Sequence, residues 1–287
     1  MNKIFKISFL FFIIISCKEK SVIETELESI EVHPENFSKI DTTFYENKTI
    51  KSLKFINGND YVNVQFYKSG KKEFIHPVKN RQCHNKYFDW YENGTIKWER
   101  EYNLGNQIGK SISYRSDGTL ENIFDNSTNE HTTFYKNGKR KETLLFKPNS
   151  TNDQIQYYFN GKIKSRFISL GNGEHSAEYY NENGEKVFDG FWKSTLLLNH
   201  DKQKFTGNII TYFANGEISH FSNHKNGIFN GKFYDKYANG NLQFQGIYIN
   251  GEAGKYEHYY ENGKLHYIND PKNKIHKEWD EKGNLIK

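Results

Sequence analysis

Tyr248-Ile-Asn-Gly251-Glu-Ala-Gly254-Lys-Tyr-Glu-His-Tyr-Tyr260-Glu-Asn-Gly263-Lys-Leu265 is the stretch whose reading decides the fold. Two Asn-Gly pairs bracket a run of strand length. Asn-Gly readily supplies the positive φ angles that two-residue hairpin turns require, so the stretch reads turn, strand, turn. Just upstream, Leu242, Phe244, Gly246 and Tyr248 alternate onto one face, as a strand with one buried side demands.

The same unit recurs along the chain. An aromatic residue precedes glycine in Tyr67-Lys-Ser-Gly70, Tyr91-Glu-Asn-Gly94, Tyr135-Lys-Asn-Gly138, Tyr158-Phe-Asn-Gly161 and Tyr237-Ala-Asn-Gly240. One residue longer are Tyr114 to Gly118, Tyr180 to Gly184, Tyr212 to Gly216 and Trp279 to Gly283. Tyr45-Glu-Asn-Lys48 reads as a degenerate first copy with lysine in the glycine position. Successive turn positions, from Lys48 to Gly283, are separated by 22, 24, 24, 20, 23, 23, 32, 24, 23 and 20 residues. The long interval holds an insertion around Lys193 to Gln203. A second turn falls near the middle of most intervals, as at Asn57-Gly58, Gly105, Gly171 to Gly173 and Asn226-Gly227. A period of about 23 residues, less two turns, leaves two strands of roughly six or seven residues each.

These residues carry a family resemblance. The Tyr248–Leu265 unit resembles a MORN-repeat variant, of the kind found in YwqK-family antitoxin proteins, and copies of it cover about 240 residues. The resulting expectation is an all-β fold: an elongated antiparallel array of about eleven tandem MORN-like β-hairpins over residues 41–287. Adjacent hairpins are expected to join edge to edge in one long twisted sheet without a separate central core. At about 4.8 Å per strand such a sheet would be on the order of 100 Å long. Gly70, Gly94, Gly118, Gly138, Gly161, Gly184, Gly216, Gly240, Gly263 and Gly283 are its structural turn residues.

Composition agrees with a thin architecture. Of 287 residues only 35% are hydrophobic, yet 16% are aromatic, with 20 Tyr, 23 Phe and 4 Trp. Each ring covers roughly 150–250 Å², enough to clothe a sheet face without a second layer. Abundant Lys, Asn, Ile, Phe and Tyr is also what an AT-rich genome writes by default. The formal charge of +5, from 40 Lys+Arg against 35 Asp+Glu, includes no compact basic run, which argues against nucleic acid as a partner.

The first sixteen residues have the layout of a secretory signal peptide: Lys3 and Lys6, then an apolar run from Ile7 to Ile15 broken only by Ser8. That run is too short for a helical span, which needs roughly 20 residues. Ile14-Ile15-Ser16-Cys17 resembles the bacterial lipobox, which implies lipidation at Cys17 and a stable membrane anchor. Lys18-Glu19-Lys20 lacks the aspartate of inner-membrane retention and is similar to the surface-export tags of Bacteroidota lipoproteins. The expected location is therefore the cell envelope, at the outer membrane, on its periplasmic or surface face. Residues 17–40, with Glu19, Glu24, Glu26, Glu28, Glu31 and Glu35, read as an acidic tether. With Cys17 acylated, Cys83 has no intramolecular disulfide partner and reads as a small buried residue or a reactive thiol.

No nucleophile motif, zinc motif or phosphate-binding glycine loop occurs. His220 and His224 would need a helix to converge on a metal, and here they are expected at a strand end. His200 and Asp201, in the insertion, are too few to build a hydrolase site. Glu92, Glu261 and Glu281 read as solvated turn residues. The expectation is a binding protein without catalytic activity, cofactor or metal. Its partner is an unknown protein, which the family resemblance extends to a toxin; the alternative is a surface glycan held by exposed aromatics. Trp90, Trp98, Tyr237 and Tyr259 are the candidate binding rings, with packing between repeats as the competing reading.

Overall fold

The computed structural model describes residues 36–148 and 152–287. The signal at 1–16, Cys17 and the tether up to residue 35 lie outside the described residues. Among the described residues no α-helix occurs, and these residues divide into two compact units, the first ending at Thr128 and the second running from Asn129 to Lys287.

The first unit carries β1 (Lys39–Phe44), β2 (Ile50–Asn57), β3 (Asp60–Phe66), β4 (Lys72–Lys79), β5 (Gln82–Cys83), β6 (Asn85–Trp90), β7 (Ile96–Asn103), β8 (Asn106–Tyr114) and β9 (Leu120–Asp125). Each pairs antiparallel with its neighbour in the chain, except that β4 pairs with both β5 and β6. Strand pairing thus starts within the segment read as tether. The change of partner on β4 falls around Pro77, which has no N–H to give to a ladder. Alternation then sorts the side chains. Phe55, Val62, Val64, Phe66, Ile75 and Trp90 are buried together on one face. On β4, Phe74 and His76 flank Ile75 and start an aromatic stack, His76 lying 4.5 Å from Tyr87 and Tyr87 4.8 Å from Tyr102. Arg100, which interrupts the apolar alternation of β7, pairs with Asp89 and lies 5.5 Å from the Trp98 ring.

The second unit does not continue as one sheet. β10 (Glu130–Phe134), β11 (Arg140–Leu145), β12 (Asp153–Tyr157), β13 (Ile163–Gly171), β14 (Glu174–Tyr180), β15 (Lys186–Lys193) and β16 (Leu196–Asn199) pair in order. A separate sheet then follows: β17 (Gly207–Tyr212), β18 (Ile218–Lys225), β19 (Ile228–Lys236), β20 (Leu242–Ile249), β21 (Glu252–Tyr259), β22 (Leu265–Asp270) and β23 (Ile275–Glu278). The insertion makes the break. Leu197 gives its N–H to the Gly227 carbonyl, and Gly227 gives its own to Phe205, so the chain turns from one sheet onto the face of the other. Gly190 permits the close approach of β16, since a Cβ there would stand 2.2 Å from the Leu198 carbonyl oxygen. Ala177, Leu197 and Ile209 form a buried core between the sheets, with Phe167, Tyr179, Phe188, Trp192 and Phe205 packed against it. The expectation of a single coreless sheet is corrected here: three consecutive leucines, Leu196 to Leu198, supply apolar surface that one open sheet could not bury.

Two kinds of turn alternate. At mid-repeat, Asn226-Gly227, Asn250-Gly251 and Asn172-Gly173 each place both residues at positive φ, the two-residue hairpin expected of Asn-Gly. The aromatic-x-Asn-Gly turns are different. Gly94 N–H donates to the Tyr91 carbonyl, and Tyr91 N–H donates to the Thr95 carbonyl. Only the glycine has positive φ, and the register shifts at Asp89/Trp90. This is a type I turn closed by a glycine bulge. All ten marked glycines sit at φ between 77° and 95°, and Lys48 takes the same role at 65°.

Candidate functional site

The repeat tyrosine does more than precede a turn. In seven copies its hydroxyl donates to a backbone carbonyl one repeat ahead: Tyr45 to Phe66, Tyr67 to Trp90, Tyr91 to Tyr114, Tyr135 to Tyr157, Tyr158 to Tyr180, Tyr237 to Tyr259 and Tyr260 to Trp279. The distances run from 2.7 to 3.0 Å. The acceptor is always the residue just before the next turn begins. The turn asparagine adds a second stitch. Asn93 accepts from Thr95 N–H within its own turn while its amide donates to the Ser116 carbonyl in the next copy. Asn137, Asn160, Asn239 and Asn262 repeat this with Phe159, Glu182, Glu261 and Glu281. The copies read above as one residue longer have turns of the same size. Their first turn residue is Arg115, Asn181, Phe213 or Asp280, none of which carries a phenol.

Trp90 is buried in the core of the first unit and has no face to offer, a correction to its reading as a ligand-binding ring. Trp98 is half-buried beside Arg100. Tyr237 is a rung of the ladder. Tyr259 donates to Glu257 at 2.7 Å and accepts from Gln245; burial first and Glu257 next push its phenol up to about 12, against a smaller downward pull from the Gln245 amide. Two of these rings belong to the first unit and two to the second. Cys83, on β5, is half-buried and free. His200 and Asp201 lie exposed in the turn after β16.

His220 lies inside β18, and His224 stands one residue from its end. Both lie within β18, on the same face two positions apart from Ser222, and all three are buried. Ser222 Oγ stands 3.1 Å from the Nε2 of each imidazole. His220 Nδ1 lies 3.2 Å from Asp235 Oδ2, and the other oxygen of Asp235 meets Lys164 of the facing sheet at 2.5 Å. Burial alone would raise Asp235, but Lys164 and His220 outweigh it and hold the carboxyl well below the usual carboxylate range. His224 is surrounded by Trp192, Phe205 and Phe229; burial, with a smaller push from His220, lowers its imidazole to about 4. Among the described residues no group of three His, Cys, Asp or Glu side chains is placed to hold a metal.

Beyond the Lys164–Asp235 pair the two sheets of the second unit enclose a cleft of about 510 Å³, within the roughly 300–1,000 Å³ usual for ligand sites. One wall carries Phe233, Phe244, Tyr248 and His258, from β19, β20 and β21. The opposite wall carries Lys141, Glu142, Gln156 and Lys164, from β11, β12 and β13. The rings of the first wall touch: Phe233 and Phe244 are 5.1 Å apart, and Phe244 and His258 4.5 Å. On the second, Glu142 accepts from the amides of Gln154 and Gln156. Alternation placed Phe244 and Tyr248 on one face correctly. That another sheet would face them required the fold-back, which the repeat spacing does not encode.

Residues 253–269, from β21 through the Tyr260 turn to β22, match the family described as MORN repeat variant. No curated protein matches the chain. A solved structure titled "Crystal Structure of TcdB2-TccC3-Cdc42" is similar at 11% identity, over 86% of this chain and 16% of that one, with a TM-score of 0.17. This chain spans under a fifth of that chain's length, and so slight a likeness bears on neither fold nor function. A MORN-type hairpin stands where the family matches, turns of the same geometry recur through both units, and such repeats suggest a binding scaffold.

Proposed function

We propose that the protein is a non-catalytic binding scaffold, anchored to the cell envelope through lipid on Cys17, that recruits a protein partner along its first strand. The observation that supports this reading is the open edge of β1. It pairs with β2 on one side, and on the other its backbone groups have no strand beside them among the described residues. Ile40 and Phe44 on that strand are 55% and 54% exposed, with Ile50 of β2 beside Phe44. Proteins usually blunt such edges with proline or charge, because an unpaired strand is a template for another chain. Here the charges of Lys39 and Asp41 neutralise each other at 2.8 Å. An extended segment of a partner, including a toxin in the special case of an immunity role, would add beside β1 through main-chain bonds and seat apolar side chains against Ile40 and Phe44.

Affinity capture with the full-length chain in detergent, against envelope proteins of its source, tests this. A partner enriched by the native chain and lost with Ile40→Lys/Phe44→Lys supports it. No enriched partner, or enrichment indifferent to both substitutions, overturns it.

A further inference from the structure

We propose that the cleft between the two sheets of the second unit binds a neutral saccharide, with Tyr248 and Phe244 as its stacking floor and Lys141, Glu142 and Gln156 as its hydroxyl-binding wall. This site is independent of the β1 edge and uses none of the four rings singled out from the sequence.

The two walls differ in chemistry in the way a sugar ring differs between its face and its rim. The faces of a pyranose present C–H groups, which pack on aromatic rings; the rim presents hydroxyls, which need both donors and acceptors. Phe233, Phe244, Tyr248 and His258 form a continuous aromatic surface on one side. Across from it an ammonium, a carboxylate and a carboxamide stand together, on adjacent strands β11 and β12. Glu142 is fixed by the Gln154 amide at 2.7 Å and the Gln156 amide at 3.3 Å, so this wall is held in place before any ligand arrives.

Charge complementarity selects against other occupants. The lining holds two cations, Lys141 and Lys164, and two anions, Glu142 and Asp235. Lys164 and Asp235 are already paired with each other across the cleft. A phosphate or polyanion would meet Glu142, and a basic peptide would meet Lys141, so a ligand that is polar and uncharged fits best.

An array of neutral and acidic oligosaccharides probed with the full-length chain in detergent, followed by titration calorimetry with the best neutral ligand, is the test. Binding to one or more neutral oligosaccharides is expected, with affinity falling at least tenfold in Tyr248→Ala. Glu142→Gln and Lys141→Met, which leave the aromatic packing untouched, should each weaken binding several-fold, and so keep the test decisive if Tyr248→Ala unfolds the unit. Ile249→Ser, next to Tyr248 on β20 and 64% exposed, should bind as the native chain does. Absence of any neutral ligand on the array, a preference for acidic glycans, or affinity unaffected by Glu142→Gln and Lys141→Met would each overturn the proposal. None of these outcomes depends on whether a protein partner is captured at β1.

Discussion

Lys164 and Asp235, 71 residues apart in the chain, meet at 2.5 Å and join the two sheets of the second unit. Asp235 also accepts from His220 of its own sheet, so one carboxylate answers to two partners. Asp235→Ala leaves a half-buried ammonium without its counter-ion and should destabilise the unit by on the order of 3 kcal/mol. Adding Lys164→Met should recover a large part of that loss, because the penalty lies in the orphaned charge and not in the missing attraction. Denaturant melts of the two single variants and the double variant measure the coupling. Additive losses would show that the pair does not act as a unit.

The tyrosine ladder gives a second expectation. Each rung replaces a water contact of a phenol and a carbonyl with one bond between neighbouring repeats, so Tyr237→Phe should cost about 1 kcal/mol and leave the ring packing intact. Tyr91→Phe should cost a similar amount in the first unit. Replacing Phe159, a 39% exposed ring near Tyr135 that is not a rung, with leucine should cost less than either. Thermal melts of the three variants rank them.

The period of the repeat was legible because it rests on a backbone demand. A glycine at positive φ is needed once per hairpin, and a residue so constrained leaves its mark on the sequence. The reason for tyrosine in front of it was hidden: its phenol bonds to a main-chain carbonyl, which Phe66, Trp90 and Tyr180 provide equally well, so the acceptor position shows no side-chain preference. The copies with Arg115 and Asn181 read as one residue longer for the same reason, since the nearest ring stands one position before the turn that the glycine closes. The cleft was illegible for a different cause. It exists because Leu197 bonds to Gly227 and folds one sheet over another, a contact between segments that no local pattern links. Tyr248 and Phe244 were on the right face, but nothing near them in sequence announces Glu142 or Lys141.

The first repeat carries a built-in strain that can be relieved. Lys48 holds φ of 65° where every later copy has glycine, and a side chain in that region costs roughly 1–2 kcal/mol. Lys48→Gly removes the strain but lets the unfolded chain roam more freely, which takes back about 0.5–1 kcal/mol. A net gain of up to about 1.5 kcal/mol in the first unit is expected. The reciprocal change, Gly94→Lys, meets no atom within 4 Å of the added Cβ, so its cost should be the backbone strain alone and similar in size. Equilibrium unfolding of the two variants should move in opposite directions.

Two imidazoles of the second unit, His224 and His258, are pushed down by burial, and His224 is the one lowered as far as about 4. Its imidazole is held neutral by burial among Trp192, Phe205 and Phe229, with its charged form pushed down to about 4 from an ordinary 6.5. Below pH 6.5 the unfolded chain takes up a proton at this position that the folded chain refuses, so unfolding is favoured progressively as pH falls from about 6.5 to about 4. The full effect is up to roughly 3 kcal/mol. The carboxylates act lower. Glu178, raised by burial but pulled down further by Arg166, Lys186 and Tyr180 to about 2 from 4.5, contributes stability that is present above 4.5 and lost as pH falls toward 2. His224→Phe keeps an aromatic ring in the cage and leaves Ser222 bonded to His220, so it separates the two windows. In that variant the loss of stability between pH 6.5 and 4.5 should shrink markedly, while the loss below 4.5 persists. Urea midpoints measured at half-unit steps of pH on the native and variant chains give the comparison. An unchanged profile above pH 4.5 would mean that some other group, and not His224, carries the proton.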